Sequence, residues 1–368
     1  MLPSIPCTLM RGGTSKGPYF HASDLPADPA ARNQLLLAAM GSPHVRQIDG
    51  IGGGDTLTSK VVIVSPSTRP GIDIDYLFAQ VSVETAMVDT TPNCGNMLAG
   101  VAPFAIEYGL VKASSPVTKV RILNTNSQKV VEATVQTPGG KVSYSGNFEL
   151  DGVPGKSAPV ALQFFDPTGT RTGRLLPTGS AQDQILGMPV TCIDFAIPIV
   201  FIKAESLGKT GYESKQALDG DAAFLQRLEA VRRIAARMMG LSDAPDLGIP
   251  KIAIIAPPHQ GGTLASRYFV SSNCHPVFAA TGAMALAAAC HTPDTVAEEV
   301  AELDQNNPLC ITVEHPSGRM SCHVVSSNDP WSGAPKLVGA AFMTSARPLL
   351  AGDVFIADHG LSSEAGLS

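Results

Sequence analysis

The sequence predicts an α+β protein built from two similar halves, and three observations predict it. Glycine and proline, 35 and 29 of 368 residues, together exceed a sixth of the chain, which favours short strands and many turns over a helical bundle. Strand-like runs recur in both halves, and each series leads to one apolar helix of small residues. Those helices open alike, Cys94-Gly95-Asn96-Met97 against Thr281-Gly282-Ala283-Met284, at an offset of 187 residues. Matching position and character imply a duplicated scaffold, each half burying a helix whose N-terminus faces an interdomain cleft. Two unrelated apolar helices are the plainer alternative.

Each element has a local reason. Residues 4–22 read as strand, glycine-rich turn and strand. Residues 27–41 read as a helix, with Pro29 in its first turn and Gly41 at its stop. A glycine-rich loop from Asp49 feeds a strand that ends at Pro66, and residues 73–89 alternate as one or two further strands. The Cys94 helix runs to Tyr108, with a kink expected at Pro103. Strands are predicted at 118–123, 128–136 and 142–150. Residues 151–180 are rich in turn formers, which places the domain boundary at 183: domains 1–183 and 184–368. Strands resume at 190–204, and 251–256 and 266–272 are two more. Between them, 219–239 has the helical spacing of Phe224, Leu228, Val231 and Met238, stopped by Gly240.

Composition excludes several functions. A net charge of −6 argues against a nucleic-acid partner. No apolar stretch reaches 18 residues and no leader pattern opens the chain, so neither a membrane span nor export is expected. The seven cysteines are odd in number, widely spaced and without C-x-x-C, the usage of a reducing compartment with no metal site; a cytoplasmic protein is expected.

Several stretches carry candidate chemistry. Cys94 follows Pro92 and Asn93, which cannot be helix interior, and precedes residues that can. That puts it at a helix N-cap, where free N–H groups stabilise a thiolate and bind anions; the commoner alternative is a buried core thiol. Lys60 heads four β-branched residues and is either an edge residue snorkelling to water or a desolvated amine usable as a base. "RGGTSKG", 11–17, fits G-x-S-x-G, but a strand follows where the nucleophile elbow needs a helix. The stretch reads instead as a carboxylate-binding loop using Arg11, Thr14 and Ser15, or as a plain glycine hairpin. "GKT" at 208–210 lacks the phosphate loop's upstream glycine, because Ala204 stands there. Arg267, Ser271, Ser272, Cys274 and His275 gather ahead of the second helix, and Arg267 suits bidentate carboxylate binding; an exposed arginine and a loop histidine are the alternatives.

Together, "MRGGTSKG", "RQIDGIGG", "TSKV" after the glycine-rich loop, "DYLFAQV", "NCGN" and "CH…ATGA" resemble the PrpF family over nearly the whole chain. The resemblance implies the diaminopimelate-epimerase-like fold, two similar domains with a curved, mostly antiparallel sheet around a central helix. It implies 1,3-proton shifts on unsaturated polycarboxylates without a cofactor, with catalytic roles for Lys60 and Cys94. Substrate-binding roles follow for Asn93, Gly95, Asn96 and Met97, for Arg11, Thr14, Ser15, Arg267 and Ser271, and for Thr281, Gly282 and Ala283. Two-thiol epimerases of this fold carry a second cysteine where this chain has Thr281, which leaves Lys60 as principal base. The motifs are most similar to the branch acting on 4-oxalomesaconate in gallate breakdown, by keto–enol tautomerisation. The alternative is cis/trans or allylic isomerisation of the 2-methylaconitate or methylitaconate type. The expected partner is a small anionic polycarboxylate, and the expected assembly a homodimer.

Overall fold

The N-terminal hairpin forms where it is expected. β1 (Ser4–Gly12) and β2 (Ser15–His21) pair antiparallel from Thr8↔Tyr19 to Gly12↔Ser15. Next comes α1 (Pro29–Met40). The Asp28 side chain accepts from the Ala31 N–H, Pro29 stands at its start, and Gly41 ends it at φ 73°. The glycine-rich loop then delivers β3 (Lys60–Pro66), followed by β4 (Ile74–Val81) and the short β5 (Val88–Asp89). The helical stretch after Cys94 is split into α2 (Gly95–Leu98) and α3 (Val101–Glu107). The break lies at Ala99–Gly100, four residues before Pro103 rather than at it. A proline ring crowds the carbonyl one turn upstream, and its missing N–H leaves that carbonyl unpaired. β6 (Val117–Asn124) and β7 (Lys129–Gln136) follow as predicted. The strand expected at 142–150 shrinks to β8 (Phe148–Glu149), paired with β9 (Lys156–Ser157); β10 (Val160–Phe165) forms inside the turn-rich stretch.

The structure is a computed structural model that describes residues 2–241, 248–270, 273–328 and 335–357. It divides into two units, Met1–Leu162 with Met343–Ser368, and Gln163–Phe342. The division therefore falls at Leu162 and not at 183, and the C-terminal segment belongs to the first unit. The reason is a strand of distant sequence, Ala346–Phe355, which pairs with β1 from Ser4↔Phe355 to Gly12↔Ala346.

In the first unit, β1–β2 and β3–β4 are antiparallel pairs joined by a parallel β2–β3 contact. A second parallel contact joins β4 to β6, and β6–β7 closes antiparallel. One face packs on α1, where Leu35, Leu36 and Met40 meet Ile5, Phe20, Val61 and Ile63. α2 touches β1 and β2 while α3 touches β3 and β7, so the sheet wraps the broken helix. Val62 and Val64 are as buried as Val61 and Ile63. Burial on both faces is why β3 reads as an unbroken β-branched run.

The second unit repeats this pattern in chain order. It contains β11 (Asp183–Ile185), β12 (Met188–Phe195), β13 (Ile197–Lys203), α4 (Lys215–Asp219) and α5 (Ala222–Met238). Then come β14 (Lys251–Ala256), β15 (Leu264–Val270), β16 (Asn273–Cys274) and α6 (Ala280–Cys290). β17 (Cys310–His315), β18 (Gly318–Asn328) and β19 (Pro335–Thr344) complete it, before β20 (Ala346–Phe355) returns to the first unit. The β12–β13 pair is antiparallel, β13–β14 parallel, β14–β15 antiparallel, β15–β17 parallel and β17–β18 antiparallel. α5 stands where α1 does, and α6 where the Cys94 helix does. Every residue of α6 is buried, and it packs on β12, β13, β17 and β18. The duplicated reading of the sequence thus holds in the connectivity of both units.

Candidate active site

The β1–β2 hairpin is the floor of the candidate site. Gly13 turns at φ 54°, and a Cβ there would lie 2.4 Å from Asn96 Oδ1. At Gly17 a Cβ would lie 1.7 Å from the Lys60 carbonyl oxygen and 3.2 Å from the Met97 methyl. The hairpin therefore touches both the head of β3 and the turn after Cys94, at distances only glycine permits. Asn96 Nδ2 donates to Thr14 Oγ1 at 3.0 Å and so ties the turn to the hairpin. Ser15 is 3% exposed, and its hydroxyl is a buried group without a hydrogen-bond partner. A hydroxyl so placed is costly unless something supplies a partner.

Lys60 does not snorkel. It is 9% exposed, its Nζ donates to Gln80 Oε1 at 2.7 Å, and it lies 5.1 Å from the Phe78 ring centroid. Register brings these groups together, since Lys60 pairs with Gln80 across β3–β4. The loop before Lys60 is held by Gln47, whose Nε2 donates to Ser42 and Ser59 hydroxyls and whose Oε1 accepts from the Gly54 N–H.

Cys94 is half-buried and sits at the N-cap of α2 in extended conformation. The N–H groups of Gly95, Asn96 and Met97 point out of the first turn, where no intrahelical acceptor exists. Two tyrosines fix the backbone around it. Tyr76 Oη donates to the Cys94 carbonyl at 3.1 Å, and Tyr19 Oη donates to the Met97 carbonyl. Burial first, and then proximity to Cys94, hold both phenols well above their usual range, so they remain donors. Asn126 bonds both Phe78 backbone groups and the Thr90 carbonyl, bracing the loop that leads to Cys94. Burial pushes the Cys7 thiol up to about 11 and those of Cys274 and Cys290 up to about 12, and raises Cys192, Cys310 and Cys322 too.

Some residues predicted for the site are committed elsewhere. Arg11 Nη1 donates to the Gly13 and Ser345 carbonyls at 2.8 and 3.0 Å, and Nη2 to Ser345 Oγ at 3.1 Å. The guanidinium thus staples the hairpin to the segment before β20. Arg267 is 7% exposed and donates to the Glu213 carbonyl at 2.8 Å, the Ser266 carbonyl at 2.9 Å and the Glu314 carbonyl at 3.4 Å. It is a buried cross-link of the second unit, not an exposed arginine. Met97 is fully buried, so its side chain is core. The Ala283 N–H bonds the Ala279 carbonyl inside α6 and is not a free donor. Thr281 and Gly282 do open α6, with Thr281 7% exposed. A Cβ on Gly282 would lie 2.6 Å from the Tyr268 ring, so that glycine serves packing. Asn93 and Gly95 are half-buried beside Cys94. Ser271 and Ser272 lie outside the described residues.

Gln80, Tyr19, Tyr76 and Asn126 were not predicted. Gln80 had a signal, a polar side chain in the strand-like "DYLFAQV", but its partner depends on register that the sequence does not show.

The duplicated sheet-and-helix units define the diaminopimelate-epimerase-like scaffold, and the relatives of the chain define its class, an isomerase. A hydroxyproline epimerase from Agrobacterium vitis shares that fold at TM-score 0.56 and 12% identity, over 97% of this chain and 94% of that one. The PrpF protein family matches residues 2–357, and the chain belongs to it. It is 48% identical to the (4E)-oxalomesaconate Delta-isomerase of Novosphingobium sp. (strain KA1), over 96% of this chain and 98% of the relative. It is 47% identical to the 4-oxalomesaconate tautomerase of Pseudomonas putida, over 87% and 89%. A crystal structure of methylitaconate-delta-isomerase matches at TM-score 0.83 and 35% identity, over 99% of this chain and 98% of that one.

Proposed function

We propose that the protein catalyses the keto–enol tautomerisation of 4-oxalomesaconate in gallate breakdown by a 1,3-proton shift, with Lys60 as base and Cys94 as the partner acid. The observation that carries this reading is the buried Lys60 amine, held by a neutral amide and forming no ion pair among the described residues. An amine so placed can take the proton from the carbon between the keto acid and the alkene. The electron pair then spreads over an extended dienolate. The free N–H groups of Gly95 and Asn96 and the Ser15 hydroxyl are donors for the substrate's carboxylates and the growing oxyanion. Cys94, at the same turn, returns a proton to the dienolate oxygen or holds the intermediate.

A second reading has its own support. The relative at 48% identity is named for a Delta-isomerase, and the solved structure at 35% for another. The first step is identical; return of the proton to the far alkene carbon instead of oxygen moves the double bond. Methylitaconate and 2-methylaconitate are the corresponding alternative substrates.

The test is to mix the protein with freshly prepared 4-oxalomesaconate in deuterated buffer and follow ultraviolet absorbance and proton NMR. Accelerated formation of the conjugated enol, with deuterium at the exchanging carbon, is the expected result. A shifted double bond selects the second reading, and no acceleration over buffer refutes both for this substrate. Lys60→Met should abolish turnover with folding intact. Seven free cysteines support a cytoplasmic setting, and exposed Leu350 and Phe355 on β20 support a homodimer, measurable by light scattering.

A further inference from the structure

Gln80 is bound on three sides. Its Oε1 accepts from Lys60 Nζ at 2.7 Å, while its Nε2 donates to the Ser59 carbonyl at 2.8 Å and the Thr56 carbonyl at 3.2 Å. Both amide hydrogens therefore have backbone acceptors. A flipped amide would set its oxygen against two carbonyl oxygens and its N–H groups against the amine. The orientation is forced, and only an acceptor can face Lys60. Phe78, two residues earlier on the same strand, places its ring beside the amine, and its own backbone is clamped by Asn126.

We infer that Gln80 is a positioning residue for the reaction: it holds Lys60 Nζ at one point with an uncharged acceptor, leaving the amine's lone pair for substrate. The inference rests on the reading of Lys60 as base. The neutrality of the acceptor is its chemical content. A carboxylate at this distance would favour the ammonium and withdraw the base, whereas an apolar side chain would leave a four-carbon stem free to sample other rotamers. Gln80 also braces the loop from Thr56 to Ser59, so position and support must be separated by experiment.

Three variants do this: Lys60→Met, Gln80→Met and Gln80→Glu, each checked for a cooperative melt and assayed for kcat and KM across pH. Gln80→Met keeps length and burial but removes the acceptor; kcat should fall about tenfold to a hundredfold with KM little changed, the cost of a misplaced reacting group. Gln80→Glu keeps an acceptor but adds charge; the acid-side limb of kcat should move to higher pH. A bracing role alone would lower melting temperature in both variants and leave that limb in place. Folded Gln80→Met with wild-type kcat, or Gln80→Glu with a wild-type pH profile, overturns the inference while Lys60→Met remains inactive. If Gln80→Met does not fold, the limb of Gln80→Glu decides alone. An active Lys60→Met instead overturns the function on which the inference rests, and the inference with it.

Discussion

Replacing Gly17 by alanine tests whether the hairpin and Lys60 are as closely packed as the structure has them. The added Cβ would lie 1.7 Å from the Lys60 carbonyl oxygen. Real contacts of this kind do not fall below about 3 Å, so hairpin and strand must part by more than 1 Å, roughly the scale at which misplaced catalytic groups cost a hundredfold in rate. Overpacking a close-packed site costs about 1–3 kcal/mol. The carbonyl is backbone inside a paired strand and cannot rotate away, so the upper part of that range applies. Gly352→Ala is the control: nothing lies within 4 Å of its Cβ, and it too sits in a strand paired to β1. Urea denaturation should show Gly17→Ala destabilised by about 2 kcal/mol, and steady-state assay should show kcat down about a hundredfold. Gly352→Ala should match wild type in both. A Gly17→Ala protein with wild-type stability and turnover would refute the packing argument.

Two further outcomes follow from the second unit. Arg267→Lys cannot span the three carbonyls that the guanidinium bonds, and should cost about 2–3 kcal/mol with KM little changed. An unchanged melt with a tenfold rise in KM would restore the carboxylate-binding role. Glu314 accepts the backbone N–H groups of His259, Gln260 and Gly262 at 2.6–2.8 Å. Burial opposes its charge, but those bonds outweigh it and hold its carboxyl below the ordinary range. A depressed folded-state pKa contributes stability above the unfolded value and loses it as pH falls through the folded one. Thermal melts should therefore show wild type losing stability on acidification through and below the ordinary carboxylate range, and Glu314→Gln less stable at neutral pH with a flatter acid limb. Parallel curves would contradict this.

Local sequence was sufficient for most elements and for the placement of Lys60 at a strand head and Cys94 at a helix start. The signals for α1 lie at the two ends of one short segment: Pro29 at its start, Gly41 at its stop. The hairpin around Gly13, the run behind Lys60 and the small-residue stretch from Ala280 are equally local. Cys94 at a helix start needed only Pro92 before it and Met97-Leu98 after it. The repeat was legible too, because two buried helices need the same small residues wherever they occur.

What the chain could not disclose by itself were its distant pairings. Whether Lys60 reaches water or Gln80 depends on the register of β3 against β4, and a shift of one residue would turn every side chain to the opposite face. Arg11 and Arg267 have the right chemistry for carboxylates in sequence, yet tertiary structure surrounds both with backbone carbonyls from segments up to hundreds of residues away. The first unit owes its last strand to residues after Met343, because an open edge on β1 is satisfied by whichever strand the fold returns to it. Periodicity, caps and turn residues act over one or two turns of chain and determined the elements and the residue types of the site. The partners of those residues depend on contacts closed over long loops, and only the folded structure decided them.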